Sequence, residues 1–157
     1  MTRQETEQVE RANASRKTPV VFVHGLWLLS SSWERWSALF EDAGYIATAP
    51  GWPDDPPTVA EARAHPEVFA GKSIGQVAAH MVEFIRSLKK KPAVVGHSFG
   101  GLLTQIVAGH GLSAASVAID PAPFRGVLPL PLPALRSAAP VLVHPTNARA
   151  AVTLTYT

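Results

Sequence analysis

Short apolar runs alternate along the chain with longer stretches in which apolar residues recur every three or four positions. The short runs lie at residues 19–23, 45–49, 94–95 and 115–119. Runs of this length are typical of buried strands, whereas the longer spacing, seen at 33–40 and 74–88, is typical of amphipathic helices. Strands that alternate with helices favour a parallel sheet with helices on both faces. The pattern therefore predicts an α/β fold with a mostly parallel sheet.

Local signals predict where the helices and loops begin and end. Ser31 and Ser73 each lie three residues before a Glu or Gln, which is the spacing of a capping box at a helix start. Gly44 is predicted to end the first of these helices, and Pro92 the second. Residues 50–57 contain four prolines and can hold neither helix nor strand, so they predict a loop after the second strand.

Composition divides the chain into three predicted segments. Residues 1–17 carry charge and almost no apolar periodicity, so they are predicted to form a loose N-terminal tail. Residues 18–123 hold the alternating strands and helices and form the predicted core. Residues 124–157 are nearly free of charge, and seven of the 14 prolines lie from Pro121 onward. This last segment is not predicted to join the sheet.

Composition and charge exclude several classes of function. The 157 residues carry a net charge of +2 without a basic stripe, so no nucleic-acid partner is predicted. The lack of cysteine excludes a disulfide framework, a thiolate nucleophile and a zinc–cysteine site. His65 and His80 do not have the spacing of metal ligands, and we predict neither a metal nor another cofactor.

The sequence also predicts no segment that targets or anchors the chain. Residues 1–17 lack the apolar core of a signal peptide. Residues 126–143 are the longest apolar region, but four prolines and Arg136 interrupt it. We therefore expect no membrane span and take a cytoplasmic location as the default.

The strongest chemical signal lies at residues 96–100, which read GHSFG. An apolar run precedes this motif and a helical pattern follows it, so a strand, a sharp bend and a helix are predicted, with Ser98 at the bend. A serine in that position has a strained backbone, and Gly96 and Gly100 leave room for it. The helix that begins at Phe99 directs free N–H groups towards any oxyanion formed beside the serine. The motif predicts a nucleophilic serine.

A second glycine loop follows the first predicted strand, where residues 24–27 read HGLW. Together with the motif at 96–100, this loop resembles the α/β-hydrolase family. Residues 24–35 look most like its serine esterase and cofactor-free haloperoxidase branch. The resemblance implies the α/β-hydrolase fold, with the backbone N–H groups of Leu26 and Phe99 as donors to the oxyanion.

The resemblance implies a serine hydrolase in which Ser98 attacks a small-molecule carboxylic ester or a related acyl compound. Two alternatives stay open. A haloperoxidase-like perhydrolase uses the same serine with peroxide in place of water. A non-catalytic ligand-binding module, or an inactive fragment, keeps the fold and loses the chemistry.

The acid and the base that would activate the serine are less clearly marked. The family order is serine, acid, histidine, and the residues that follow Ser98 include one carboxylate, Asp120, and two histidines, His110 and His144. His110 is predicted to lie three turns along a helix that leads away from the serine, so Ser98, Asp120 and His144 form the sole in-chain triad. The family's commoner arrangement places acid and base in a C-terminal half. We therefore expect truncation after the sixth-strand equivalent, with 124–157 as the start of a cap.

Several residues are predicted at the carboxyl edge of the sheet, where parallel sheets bind ligands. Trp27, His97 and Trp52 are candidates for substrate contacts, although both tryptophans also suit the edge of the core. His24 is predicted to bond nearby backbone. Residues 54–55, both aspartates, are predicted to form a solvated turn.

A sheet that stops at its sixth-strand equivalent has one edge without a neighbouring strand. Such an edge offers unpaired N–H and C=O groups to another chain. We therefore predict that the isolated chain self-associates through this edge.

Overall fold

The fold is that of a computed structural model, which describes residues 1–127, 131–143 and 145–152. The strands are β1 (Pro19–Val23), β2 (Ile46–Thr48), β3 (Ala93–His97) and β4 (Ala115–Ile119). The helices are α1 (Arg3–Ala14), α2 (Glu34–Asp42), α3 (Val59–Ala64), α4 (Ile74–Arg86), α5 (Phe99–Gly109) and α6 (Leu132–Leu142). Single 3-10 turns occupy Ser30–Trp33, Pro66–Phe69 and Pro145–Arg149. Within the described ranges, no helix is both long and apolar enough to cross a membrane.

All four strands pair in parallel, in the order β2-β1-β3-β4. This confirms the predicted fold class. Successive side chains of the buried strand β1 point to opposite faces of the sheet. Val21 and Val23 enter a larger core on one face, and Val20 and Phe22 enter a smaller core on the other. The parallel sheet is thus covered on both faces, as its apolar central strands require.

The two cores are built from different helices. The larger core lies between the sheet and helices α4 and α5, and its buried side chains include Val77, Met81, Phe84, Ile85, Val94, Leu103 and Val107. The smaller core lies under the start of α2. There the ring of Trp33 stacks on the ring of Phe22, with centroids 5.0 Å apart. The ring of Phe40 packs edge-on against the same Phe22 ring, with centroids 5.3 Å apart. Such aromatic pairs contribute about 0.5–1.5 kcal/mol beyond the area that they bury.

The N-terminal segment forms a helix, so the prediction of a loose tail is wrong for Arg3–Ala14. The hydroxyl of Thr2 accepts from Glu5 N–H, and the Glu5 carboxylate accepts from Thr2 N–H, which together make a capping box. Val9 and Ala12 pack into the larger core. The helix has too few apolar positions to show a periodic pattern in the sequence. Polar side chains make most of its other contacts with the rest of the fold.

Those polar side chains attach α1 to strand β2 at the edge of the sheet. The Gln8 amide accepts from Ala49 N–H at 2.8 Å and donates to Ala49 C=O at 3.4 Å. Arg11 donates to the carbonyl of Ala47 and pairs with Glu41 at 2.7 Å. Because backbone groups of an edge strand need partners, α1 covers this end of the sheet.

The opposite end of the sheet lies at β4. Among the described residues β4 pairs with β3 alone. Its side chains are exposed or half-buried, and Val117 is 52% exposed, so the prediction of a buried strand is wrong here. The chain after this strand continues as coil, α6 and a 3-10 turn and adds no strand within the described ranges. Self-association through this edge stays a prediction.

One of the two predicted capping boxes is present. Ser73 accepts from Gln76 N–H and begins α4, as predicted. The box predicted at Ser31 is wrong, because the 3-10 turn Ser30–Trp33 precedes α2 and Leu29 precedes that turn without a side-chain cap. The loop predicted at 50–57 is confirmed by its lack of helix and strand.

Candidate functional site

Ser98 lies at a sharp bend between β3 and α5. Its backbone has φ 56° and ψ −119°, a conformation that residues with a side chain rarely adopt. Ser98 N–H donates to the carbonyl of Ile119 at 3.0 Å. Ser98 C=O accepts from Leu102 N–H at 3.1 Å and from Ala122 N–H at 2.9 Å. Such a strained backbone conformation costs about 1–3 kcal/mol. The three hydrogen bonds of Ser98 hold the backbone in this conformation against that cost. The predicted strand, bend and helix are confirmed.

The two glycines of the motif are required by close packing. A Cβ on Gly96 would collide with the carbonyl of Gly100 and with the hydroxyl of Thr104. A Cβ on Gly100 would collide with the carbonyls of Val23 and His24. Both collisions involve backbone atoms, which cannot rotate out of the way as a side chain can. The bend at the serine therefore requires glycine at both positions, as predicted.

The HGLW loop is pressed against the bend. A Cβ on Gly25 would lie 3.0 Å from the carbonyl oxygen of His97, 3.1 Å from Ser98 Cβ and 3.6 Å from Ser98 Oγ. A side chain here would therefore fit only if one of the two segments moved by a few tenths of an ångström. Gly25 therefore lets the loop approach the serine closely.

Two backbone N–H groups lie next to this contact, those of Leu26 and Phe99. Among the described residues, no acceptor receives a hydrogen bond from the N–H of Leu26 or of Phe99. Phe99 is the first residue of α5, where a helix leaves its N–H groups without internal partners. The side chains of both residues pack against the larger core, which holds their backbones in place. Both N–H groups can therefore donate to a ligand.

His24, Asp55 and Trp52 form a buried cluster behind the HGLW loop. His24 Nδ1 lies 2.9 Å from the carbonyl oxygen of Gly25, and Nε2 lies 3.0 Å from Asp55 Oδ2. Asp55 Oδ2 also accepts from Trp52 N–H at 2.7 Å. The rings of His24 and Trp52 stack with centroids 5.4 Å apart. The imidazole is therefore held on its face by Trp52 and at Nδ1 by a hydrogen bond, with the Asp55 carboxylate close to Nε2.

This cluster corrects one prediction and resolves an alternative. Asp55 was predicted to lie in a solvated turn, but its side chain is 7% exposed; its neighbour Asp54 is 82% exposed. Trp52 is 9% exposed and belongs to the larger core, which favours the core-edge alternative over a substrate contact. The ring of His24 bonds nearby backbone, as predicted. No local sequence signal distinguishes the two adjacent aspartates.

The other candidate substrate contacts lie on the outer side of the loop. Trp27 is 52% exposed, and its indole N–H donates to the carbonyl of Val152 at 3.1 Å. The C-terminal segment therefore reaches back to the HGLW loop. His97 lines an open recess of about 220 Å³ together with Leu28, Ser32, Trp33, Trp36 and Ile119. A second recess, of about 470 Å³, lies beside residues 54–57 and is also lined by Glu61, His65 and Val68.

The predicted acid and base are not joined to the serine in the described part of the chain. Asp120 follows β4 with φ 41°, and it is exposed. His144 lies outside the described residues. Among those residues, no hydrogen bond joins Ser98 Oγ to a histidine or a carboxylate. His80 is instead bonded to Glu5, and His110 caps the far end of α5. The described residues also contain no group of three or more potential metal ligands.

The comparisons with known proteins agree with this geometry. Residues 20–156 match the model of the alpha/beta hydrolase family. The chain belongs to the alpha/beta hydrolase family. No curated protein sequence matches it.

Several solved structures resemble this hydrolase-family chain. A metagenome-derived lipolytic enzyme is 23% identical with a TM-score of 0.53, and the match covers 72% of this chain and 50% of that one. An extracellular α/β-hydrolase from a Paenibacillus species is 19% identical with a TM-score of 0.58, covering 79% and 50%. The monoacylglycerol lipase of Paleococcus ferrophilus is 25% identical with a TM-score of 0.55, covering 77% and 45%. The chain thus spans about half the length of these three structures.

Proposed function

We propose that this chain carries the nucleophile and the oxyanion hole of a serine hydrolase that acts on carboxylic esters or related acyl compounds. The observation that carries the proposal is the strained backbone of Ser98, at φ 56°, in contact with the glycine loop at Gly25. This arrangement leaves the half-buried Ser98 at the edge of the sheet, beside N–H groups of Leu26 and Phe99 that have no acceptor among the described residues. A serine with only a structural role would not need this strained conformation.

The chemistry follows from the positions of these groups. Ser98 Oγ attacks the carbonyl carbon of the substrate, and its proton passes to a general base. The carbonyl oxygen becomes an oxyanion, which accepts hydrogen bonds from the N–H groups of Leu26 and Phe99. The oxyanion collapses, the alcohol leaves with a proton, and water then releases the acid from the serine. Loss of one such donor lowers turnover by about 10²- to 10³-fold.

An ester is the substrate class that we propose, and the names of two matched structures favour it. One matched protein is described as lipolytic and another as a monoacylglycerol lipase. Lipids of this kind are carboxylic esters, so both names point to the same acyl chemistry. Among the described residues, no lysine, arginine or histidine side chain hydrogen-bonds to Ser98, which is compatible with a neutral ester.

The proposed reaction also requires an acid and a base that activate Ser98. Asp120, which follows the last strand, and His144 are the in-chain candidates, and a C-terminal half of the fold is the other source.

A binding module without chemistry is the second candidate function. It is favoured by the lack, within the described ranges, of any hydrogen bond from Ser98 Oγ to a base.

Covalent labelling distinguishes these two functions. A fluorophosphonate probe should phosphonylate Ser98, as located by peptide mass mapping, because the probe needs both the nucleophile and the oxyanion donors. Ser98→Ala should abolish the labelling. Ser116→Ala is the matched control, since that exposed serine of β4 bonds to Ser113 and not to the bend. Labelling that is absent from the wild type, or equal in Ser98→Ala, would favour the binding module.

A further inference from the structure

We propose that Asp55 and His24 form a positioning pair that orients the peptide between Gly25 and Leu26, and with it one donor of the oxyanion hole. The inference rests on the proposed function, because it assigns these two buried side chains to the Leu26 N–H. Neither side chain is placed to touch a substrate: His24 is 2% exposed and Asp55 7%. They are positioning residues and not catalytic ones.

The first step concerns a single peptide unit. The carbonyl of Gly25 and the N–H of Leu26 belong to the same planar group, so the direction of one determines the direction of the other. The Gly25 oxygen can only accept, so His24 Nδ1, 2.9 Å away, must carry the proton of this bond. This bond fixes the peptide plane. It also polarises the peptide, which strengthens the Leu26 N–H as a donor.

The second step concerns the other side of the imidazole. Asp55 Oδ2 lies 3.0 Å from Nε2, but off the axis of a hydrogen bond, so the contact is mainly electrostatic. If Nδ1 alone carried a proton, the Nε2 lone pair would face a carboxylate oxygen and repel it. A proton on Nε2 makes this contact attractive, just as a proton on Nδ1 makes the contact with the Gly25 carbonyl attractive. Asp55 thus holds the Nε2 side of the ring in place, which leaves Nδ1 directed at the Gly25 carbonyl.

The third step concerns the rigidity of the pair. Asp55 is itself held by the N–H of Trp52 at 2.7 Å, and the indole of Trp52 stacks on the imidazole with rings inclined by 21°. The loop after the second strand therefore supports the loop after the first. Because Gly25 contacts Ser98 directly, a rotation of this peptide moves the donor relative to the nucleophile. A misplacement of about 1 Å costs up to about 100-fold in rate.

The test compares Asp55→Asn with Asp54→Asn, its exposed neighbour in the same loop. Both changes remove one negative charge, but Asp54 is 82% exposed and approaches a lysine only at 3.9 Å. Amide NMR of the uniformly ¹⁵N-labelled chain follows the Leu26 N–H, and fluorophosphonate labelling follows the rate at Ser98. We expect Asp55→Asn to shift the Leu26 amide resonance and to slow labelling by about tenfold or more. Asp54→Asn should change neither.

A measurement on the unchanged protein keeps the proposal testable if Asp55→Asn does not fold. The ¹⁵N shifts of the His24 ring report the proton on each nitrogen, and we expect a proton on Nδ1. A ring with an unprotonated Nδ1 would overturn the proposal, as would an Asp55→Asn variant that is folded and leaves the Leu26 amide unchanged. These NMR readouts do not require catalysis. If the Leu26 resonance responds to Asp55→Asn while Ser98 is never labelled, the pair is supported and the proposed hydrolase function fails.

Discussion

Gly25 and Ser98 are so close that a single added carbon would press on the nucleophile: a Cβ on Gly25 would lie 3.1 Å from Ser98 Cβ. Distances in this range are tighter than most real contacts, so either the loop or the bend must move by a few tenths of an ångström. The contact therefore couples the oxyanion loop to the nucleophile, although the two lie far apart in the sequence.

Gly25→Ala should slow the reaction of Ser98 by about tenfold, because it displaces the loop that carries the Leu26 N–H. Its cost in the free energy of unfolding should be about 1–3 kcal/mol, as for other overpacked sites. Gly109→Ala is the matched control, since a Cβ there meets nothing within 4 Å. Fluorophosphonate labelling rates and urea unfolding curves of both variants test this. Equal labelling in the two variants would contradict it.

Gly100→Ala should be far more damaging, because its Cβ would collide with two backbone carbonyls. The bend cannot relax without breaking its contact with β1, so we expect a loss of about 3 kcal/mol or more in the free energy of unfolding. Urea denaturation followed by circular dichroism measures this. A variant that unfolds at the wild-type urea concentration would show that the bend is not packed as described.

Leu26→Pro and Leu26→Ala separate the backbone donor from the side chain. Proline removes the N–H, so we expect labelling of Ser98 to fall by about 10²-fold or more. Alanine keeps the N–H and loses only part of the packing against the larger core, so its effect should be much smaller. Thermal unfolding of both variants checks that they remain folded. Equal losses in two folded variants would reject Leu26 as a donor.

The strands and the bend could be predicted because their signals are local. The apolar run at 19–23 predicts a buried strand from five consecutive residues. The motif at 96–100 predicts a tight bend, because its glycines stand where a Cβ would collide. The same holds for the capping box at Ser73. Each depends on neighbours in the sequence, so no knowledge of the packed fold is needed.

The missed features depend on contacts between residues that are distant in the sequence. Helix α1 is held at the sheet edge by Gln8 and Arg11, which look like ordinary surface residues until β2 is beside them. Asp54 and Asp55 are adjacent and chemically identical, and only the position of His24 in the fold decides which turns inward. Polar contacts of this kind leave no periodic pattern.

The pairing of Glu5 with His80, at 2.8 Å, should make stability depend on pH. Burial by itself would raise the pKa of Glu5, but the hydrogen bonds from His80 and Thr2 outweigh it and lower that pKa below its ordinary value of 4.5. A lowered pKa in the folded state gives stability that is complete above the unfolded-state pKa and is lost as the pH falls through the folded-state pKa. The free energy of unfolding should therefore fall on acidification below about pH 4.5.

Glu5→Gln should remove this part of the acid dependence and cost about 1–3 kcal/mol at neutral pH, because it breaks a buried, charge-assisted hydrogen bond. Glu7→Gln is the matched control on the same helix, since Glu7 and its partner Arg3 are 61% and 93% exposed. It should change the free energy of unfolding by less than about 0.5 kcal/mol. Urea unfolding at neutral and acidic pH compares the two, and equal effects would contradict the assignment.

The central claim is that Ser98 is a nucleophile, and the acyl-transfer burst tests it most directly. An activated aryl ester is mixed with the chain in a stopped-flow instrument, and release of the aryl alcohol is followed together with the intact mass of the protein. Wild type should release alcohol stoichiometrically and carry the acyl group on Ser98, whereas Ser98→Ala should show neither. A burst of equal amplitude in Ser98→Ala, or an acyl group on another residue, would contradict the claim.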